Sequence, residues 1–150
     1  DKHGFDALIL AIRRDEHGIR AKERVFSPRD KDFRWDYKNQ PPQIWDIYPF
    51  TSEKDKHFRI HPILEWAESD VWEYIQMENI PVNKLYLSQN GKRYRSLGCM
   101  PCTTPIYSDA DTIEKIIEEL KSTKIAERSG RSQDKEKAYV MQKLRALGYM

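Results

Sequence analysis

Six basic side chains stand between residues 13 and 30, interspersed with four carboxylates. They are Arg13, Arg14, Arg20, Lys22, Arg24 and Arg29. Guanidinium groups bind phosphate and sulfate oxygens in pairs, so such a cluster can hold an anion. It directly follows an apolar segment at residues 5–12, and open α/β sheets bind ligands outside the carboxyl ends of their strands. The sequence therefore predicts an anion site here, with one alternative: arginines and carboxylates that pair with each other on a solvated helix face.

A second candidate for chemistry is the stretch "RYRSLGCMPCTTPI", which places Cys99 and Cys102 with two residues between them. This spacing is typical of metal and redox sites. Zinc and iron–sulfur sites use four ligands, and these are the only two cysteines of the 150 residues. We therefore expect no iron–sulfur cluster in this chain and leave the metal role of the pair unknown. Two partly buried thiols, or a labile disulfide in a turn, is the simpler interpretation.

Glycine-rich phosphate loops are missing from the sequence. The six glycines stand singly, so neither GxGxxG nor GxxxxGK[ST] occurs. A nucleotide site would take its main phosphate cradle from elsewhere.

Composition restricts the class of protein. The 26 basic and 24 acidic residues leave a formal charge of +2, which argues against a general nucleic-acid binder. No apolar run approaches the roughly 20 residues that span a bilayer, and no signal sequence is recognisable, so we expect a cytoplasmic protein without a membrane partner. A chain of 150 residues is about one domain long.

The apolar pattern predicts an α/β fold. Residues 5–12 read as a strand covered on both faces, as in parallel sheets, and residues 57–63 as a second strand. Residues 28–56 have no steady period and are predicted to form a long ordered loop. His61, between two apolar residues, is expected to be structural.

Three helices are predicted from apolar spacing. The first covers residues 68–79 and ends before Pro81, with Trp72 in the core. The second follows "SDAD" and repeats isoleucines at helical spacing, with Asp109 or Asp111 as its cap. The third covers residues 134–147, and residues 126–133 ("AERSGRSQ") connect it to the second as a loop with two arginines around a glycine.

Six segments in order carry a family resemblance. They are "DKHGFDALILAIRRDEHGIRAKERVFS", "WDYKNQPPQIWDIY", "EWAESDVWEYIQMENIPVNKLY", "RSLGCMPCTTPI", "TIEKIIEELKSTKIAERSGRSQD" and "LGYM". The chain resembles the adenine nucleotide alpha hydrolase-like family, which holds the phosphoadenylyl-sulfate reductases and the small subunits (subunit 2) of bacterial-type sulfate adenylyltransferase. The resemblance implies a Rossmann-like parallel sheet. It also implies that residues 1–150 are the C-terminal part of a single adenylyltransferase or sulfonucleotide-binding domain, whose SGGKDS-type pyrophosphate loop falls before residue 1.

The resemblance to the adenylyltransferases implies an activity and partners. Sulfate would attack the α-phosphorus of ATP, with Mg²⁺ bound to the nucleotide and a GTPase large subunit as partner. Arg13 and Arg14 would contact phosphate or sulfate oxygens, and Asp15 and Glu16 would orient them or assist the metal. The remaining nucleotide-binding candidates are Arg20, Arg24, Arg128 and Arg131. Without the pyrophosphate loop, residues 1–150 alone are expected to be inactive.

Other members of the family remain alternatives. "GCMPCT" is similar to the cysteine motif of iron–sulfur adenylyl-sulfate reductases, and Cys102 stands where many adenylyltransferases have an aliphatic residue. Those reductases end in an ECG-type motif whose cysteine attacks sulfur, whereas this chain reads "ERSGR" there. The transferase is therefore preferred to the reductase. An enzyme that thiolates nucleic acid fits the near-neutral charge less well, and a nucleotide-binding module without catalysis is the last alternative.

Overall fold

The protein combines short strands with two α-helices and thus has the predicted α/β class. The structure is a computed structural model that describes residues 4–40, 43, 57–125 and 127–130. The chain forms two compact units, Asp1–Trp66 and Ala67–Met150. The described part of the chain contains no helix of the length and apolar character that a membrane span requires.

A three-stranded mixed sheet organises the first unit. Its strands are β1 (Ala7–Ile9), β2 (Phe26–Arg29) and β3 (His57–Ile60), in the spatial order β1-β3-β2. β1 runs parallel to β3, whereas β2 runs antiparallel to it. The parallel arrangement expected from the sequence is therefore present only for the β1–β3 pair among the described strands.

β2 was not predicted. It lies inside the charged stretch and contains Pro28, which has no N–H to donate to a ladder. Within the described sheet, β2 occupies an edge and pairs with β3 alone, a position that tolerates proline. The loop expected over residues 28–56 thus begins after a strand, and most of its second half lies outside the described residues.

The apolar side chains of β1 are exposed, contrary to the prediction of a strand covered on both faces. Leu8 is 45% and Ile9 69% exposed, and Phe5 just before the strand is 71% exposed. Successive strand residues point to opposite faces, so neither face of β1 is covered in this structure. An apolar run predicts that other segments pack against both faces of a strand, but it does not identify those segments.

Two helices build the core of the second unit. They are α1 (Glu68–Met77) and α2 (Ile113–Ser122), and both predicted helices are confirmed with slightly shorter bounds. The buried apolar residues are Trp72, Ala110, Ile116 and Ile117. The Trp72 ring meets Tyr86 edge-on, with centroids 5.7 Å apart, which confirms the core role expected for Trp72.

The cap of α2 differs from the prediction. Thr112 is the N-cap, and its hydroxyl accepts the backbone N–H of Lys115 at 3.3 Å. Asp111 instead binds the Lys115 ammonium at 2.7 Å, one residue before the cap. Thr, Asp and Ser are all favourable N-cap residues, so residue type alone does not identify which of them caps α2.

Short elements complete the second unit. β4 (Lys92–Arg93) and β5 (Ile106–Tyr107) form an antiparallel pair. Single 3₁₀ turns occur at Lys84–Tyr86, Met100–Cys102 and Glu127–Gly130. The last of these falls within the connection predicted as a loop. The helix expected over residues 134–147 lies outside the described residues.

Candidate anion-binding site

The arginine cluster lies at the carboxyl ends of the parallel strands, as predicted. Beyond β1, the Leu10 N–H donates to the Ile60 carbonyl at 2.8 Å, and the Arg14 N–H donates to the Leu64 carbonyl at 2.9 Å. The segment after β1 therefore runs beside the segment after β3. This edge is where open α/β sheets bind ligands.

Arg13 is buried, with 7% of its surface exposed. Its Nε donates to Asp15 Oδ1 at 2.9 Å, and the Asp15 side chain is 39% exposed. An arginine that is buried and held by a half-exposed carboxylate has a fixed position, which suits a group that binds and orients an anion.

Arg14 joins three segments of the first unit. It forms an ion pair with Glu65, and its Nη2 donates to the Glu23 carbonyl at 2.9 Å. Its Nε is buried and makes no hydrogen bond in the described structure. A buried donor of this kind costs about 1–3 kcal/mol until it is satisfied, so a ligand oxygen at this atom would be stabilising.

Arg20 pairs with Glu16, four residues earlier, beside the 3₁₀ turn Gly18–Lys22. Both predicted carboxylates, Asp15 and Glu16, therefore bind arginines of the same cluster. Arg13 and Arg20 thus pair within the cluster, as the ion-pair alternative predicted, whereas Arg14 pairs with Glu65 outside it, and the described residues of the cluster form no α-helix. Their roles toward an anion stay predictions.

Arg24 differs from the other arginines of the cluster. Its side chain is half-buried, and its Nε is buried without a hydrogen bond. No ion pair of Arg24 occurs within the described part of the chain. Arg24 therefore offers a guanidinium that is already partly desolvated and that no described carboxylate neutralises.

A buried polar network contacts the backbone of Arg24, and sequence reasoning did not predict it. The Ser27 hydroxyl donates to Glu23 Oε2 at 2.9 Å, and Arg29 Nη1 donates to the Ser27 oxygen at 2.6 Å. His61 is fully buried, and its Nδ1 lies 2.8 Å from the Arg24 carbonyl and 3.9 Å from Glu23 Oε2. A carbonyl can only accept, so His61 Nδ1 carries the proton of this hydrogen bond. The bond holds the backbone of Arg24 in place.

Two pKa values in this network are shifted by burial. Burial lowers the pKa of His61, and the Arg24 carbonyl and the Glu23 carboxylate offset this only in part. Burial also lowers the pKa of Arg29, which Glu23 opposes. His61 is therefore a neutral structural histidine, in keeping with the prediction from its apolar neighbours. The alternate burial of Ser27 and Arg29 along β2 is visible only in the structure, because β2 itself was not predicted from the sequence.

Two further buried arginines lie in the second unit, beside the cysteine motif. Arg95 binds Glu68 with Nε and Nη2, at 3.0 and 2.6 Å. Arg93 is 1% exposed and donates to Glu119 at 2.7 Å and to the Ser108 hydroxyl at 3.2 Å. Burial raises the pKa of Glu119, but hydrogen bonds from Arg93 and Ser108 outweigh it and keep the pKa below its ordinary value. These arginines therefore connect separate segments of the second unit.

Of the two predicted arginines in the C-terminal part, only Arg128 is described. It is half-buried in the 3₁₀ turn Glu127–Gly130, whereas Arg131 lies outside the described residues. Arg128 belongs to the second compact unit and the cluster of residues 13–24 to the first. Arg128 therefore stays a prediction as a nucleotide contact.

Cys99 and Cys102 bound one 3₁₀ turn and are not joined by a disulfide in this structure. Cys99 is exposed and Cys102 partly buried. Among the described residues, no group of three or more His, Cys, Asp or Glu side chains converges as metal ligands do. The pair stays a candidate without an assigned metal.

Comparison with known proteins defines the class. A profile of the phosphoadenosine phosphosulfate reductase domain family matches residues 1–105, which is more than half of the chain. The chain belongs to this family, as its motifs indicated.

Several similar curated proteins share one name. The chain is 40% identical over 177 residues to sulfate adenylyltransferase subunit 2 of Marinomonas sp. (strain MWYL1). It is 39% identical over 178 residues to the proteins of the same name from Phocaeicola vulgatus and Bacteroides fragilis. Each match covers 99% of this chain and 59% of the relative. The chain thus spans about three-fifths of the length of these relatives.

Proposed function

We propose that this chain is part of the small subunit of a sulfate adenylyltransferase, which forms adenylyl sulfate and pyrophosphate from ATP and sulfate. The name shared by relatives at about 40% identity supports the assignment. The structural observation that carries it is the pair of buried, unsatisfied Nε donors of Arg14 and Arg24, in a cluster at the carboxyl edge of β1 and β3.

Basic side chains suit this reaction because every species in it is an anion. A sulfate oxygen attacks the α-phosphorus, the bond to the β,γ-diphosphate breaks, and pyrophosphate leaves. Phosphoryl-type transfer depends mainly on positioning and charge stabilisation. In the proposal, Arg13 and Arg14 bind the oxygens of sulfate or phosphate, and Asp15 and Glu16 hold the arginines in position. Mg²⁺ enters with ATP as part of the substrate.

The other candidates bind the nucleotide. Arg24 contributes its unneutralised guanidinium, and Arg20 is a second candidate from the same cluster. Arg128 and Arg131 are the remaining nucleotide-binding candidates of this proposal. The complete domain includes a phosphate-binding loop and a Rossmann-like sheet of which residues 1–150 are the C-terminal part. A GTPase large subunit is the proposed partner, in the cytoplasm.

A reductase is the second candidate. The matched family is named after phosphoadenosine phosphosulfate reductase, and "GCMPCT" is similar to a reductase motif. Reduction of a sulfonucleotide needs a thiolate that attacks sulfur. The segment "ERSGR" has no cysteine, so the adenylyltransferase is the better supported of the two.

One pair of assays separates the candidates. The full-length protein with its large subunit is assayed for sulfate-dependent exchange of pyrophosphate into ATP. It is also assayed for thiol-dependent release of sulfite from adenylyl sulfate. We expect exchange and no sulfite. Sulfite release without exchange would favour the reductase, and neither activity, with nucleotide binding intact, would favour a binding module.

The isolated chain makes a further control. Residues 1–150 contain no glycine-rich phosphate loop. We expect this chain alone to give no pyrophosphate exchange.

A further inference from the structure

Cys99 and Cys102 stand at the two ends of one turn, a position compatible with a disulfide. The Cys102 N–H donates to the Cys99 carbonyl at 3.1 Å, so the two residues close one 3₁₀ turn. Such a turn brings its first and fourth Cα atoms within about 7 Å. Disulfides bridge Cα atoms that are about 4.4–6.8 Å apart, so the turn needs little movement to form one.

The sequence of the turn limits its motion and leaves it accessible. Pro101 fixes one φ angle, and the Thr103 hydroxyl donates to the Cys99 carbonyl at 2.9 Å. Met100 is 92% exposed, and Cys99 is exposed beside it. A small oxidant can therefore reach Cys99 while the turn keeps Cys102 nearby.

The turn is joined to the segment that carries Arg128. Thr104 lies two residues beyond Cys102, and its N–H and Oγ1 both donate to the Gly130 carbonyl, at 2.9 and 3.0 Å. A Cβ on Gly130 would lie 2.5 Å from the Thr104 carbonyl, so only glycine permits this approach. The Thr104–Gly130 contact therefore connects the chain segment after the cysteine turn to the Glu127–Gly130 turn.

We propose that Cys99 and Cys102 form a reversible disulfide that tightens the contact between Thr104 and Gly130. The proposal does not depend on which reaction the protein catalyses. The oxidant is a low-molecular-weight disulfide, RSSR. The Cys99 thiolate attacks one sulfur and expels RS⁻, and the Cys102 thiolate then attacks the Cys99 sulfur and expels the second RS⁻. Two thiols are oxidised, RSSR is reduced to two RSH, and the two protons released by the cysteines protonate the leaving thiolates.

The first test measures the disulfide itself. The full chain is equilibrated in glutathione buffers of increasing oxidised fraction, quenched in acid, alkylated and analysed by mass spectrometry. We expect a monomer 2 Da lighter than the dithiol, with neither cysteine alkylated. C99S and C102S should instead carry one glutathione on the remaining cysteine. Stable glutathione adducts or disulfide-linked dimers as the main wild-type product would overturn the proposal.

The second test measures the coupling. Hydrogen exchange of the Thr104 amide reports its bond to Gly130 directly. We expect exchange to be slower by on the order of tenfold in the oxidised protein, because the disulfide removes open states of the turn. In G130A the disulfide should still form, but oxidation should no longer slow this exchange. Equal exchange in both redox states of the wild type would show that the disulfide and the segment are not coupled.

Discussion

Arg14 forms an ion pair with Glu65, 51 residues further along the chain, where the segments after β1 and β3 run side by side. The Glu65 side chain is 60% exposed and that of Arg14 30% exposed. Exposed pairs contribute only about 0.2–1 kcal/mol, so an anionic ligand can replace Glu65 at little cost. The pair therefore holds the guanidinium in place and is compatible with a role in binding.

Substitutions on the two sides of this pair should act in opposite directions. We expect E65Q to tighten the binding of pyrophosphate to the full-length protein, because it removes a competing carboxylate. R14A should weaken binding by about 1.5–3 kcal/mol, or one to two decades in Kd. Calorimetric titration measures both, with thermal unfolding as the control. Unchanged affinity in R14A together with a large loss of stability would show that Arg14 has only a structural role.

Arg24 should contribute to binding more than to stability. Its guanidinium has no ion pair among the described residues, so R24A breaks none of the described side-chain contacts. We expect R24A to weaken ATP binding about tenfold and to lower the free energy of unfolding by less than about 1 kcal/mol. R24K should restore part of the affinity, and K31A, at an exposed position, is the matched control. Equal affinities of R24A and the wild type would remove Arg24 from the site.

The limits of sequence reasoning are visible in the arginines. Spacing alone found the cluster and its position after a strand, because the apolar run of β1 and the charges after it are adjacent in sequence. It did not find Arg93 and Arg95 as buried, because their partners are distant in sequence. It did not find Arg29 as buried either, because its nearby partners Ser27 and Glu23 lie around a strand that was not predicted. For Glu119 and Glu68 the separation is 26 and 27 residues. Charge at a single position does not reveal such partners.

The same contrast holds for the helices and strands. α2 was predictable because its three isoleucines and Leu120 repeat at helical spacing within a helix of ten residues. β2 was not, because four residues with a proline and an arginine carry no period that distinguishes a strand from a loop. Its place in the sheet is set by pairing with β3, a contact between distant segments.

Acidification should destabilise the protein through His61. Its pKa is lowered in the folded state, so the unfolded chain binds the proton more tightly. The contribution of His61 to stability is complete above its ordinary pKa of 6.5 and is lost as the pH falls toward the folded pKa. Chemical unfolding at pH 7.5, 6.5 and 5.5 measures this decline.

H61N provides the control for that pH dependence. Its side-chain amide can donate to the Arg24 carbonyl as Nδ1 does, but it does not titrate. We expect H61N to be less stable than the wild type at pH 7.5 and to lose less stability between pH 7.5 and 5.5. An equally steep decline in both proteins would assign the effect to other groups.

The ion pair of Arg93 and Glu119 should be sensitive to the loss of one partner. The Arg93 side chain is fully buried, and its Nη1 already lacks a hydrogen bond in the described structure. Removing one partner of a buried pair leaves an uncompensated charge and costs about 3–5 kcal/mol. We expect E119Q to lower the free energy of unfolding by about that amount, and R93M by less, because methionine leaves no buried charge on the arginine side.

An exposed ion pair on the same helix supplies the matched control for E119Q. Glu118 and Lys121 lie 2.9 Å apart, with side chains 75% and 63% exposed. Solvent screens such a pair, so E118Q should leave the free energy of unfolding almost unchanged. Both variants remove one negative charge from neighbouring positions of α2, which excludes net charge as the cause of any difference. Urea unfolding measures the two values, and similar losses in E118Q and E119Q would show that the burial of Arg93 does not determine the strength of its ion pair.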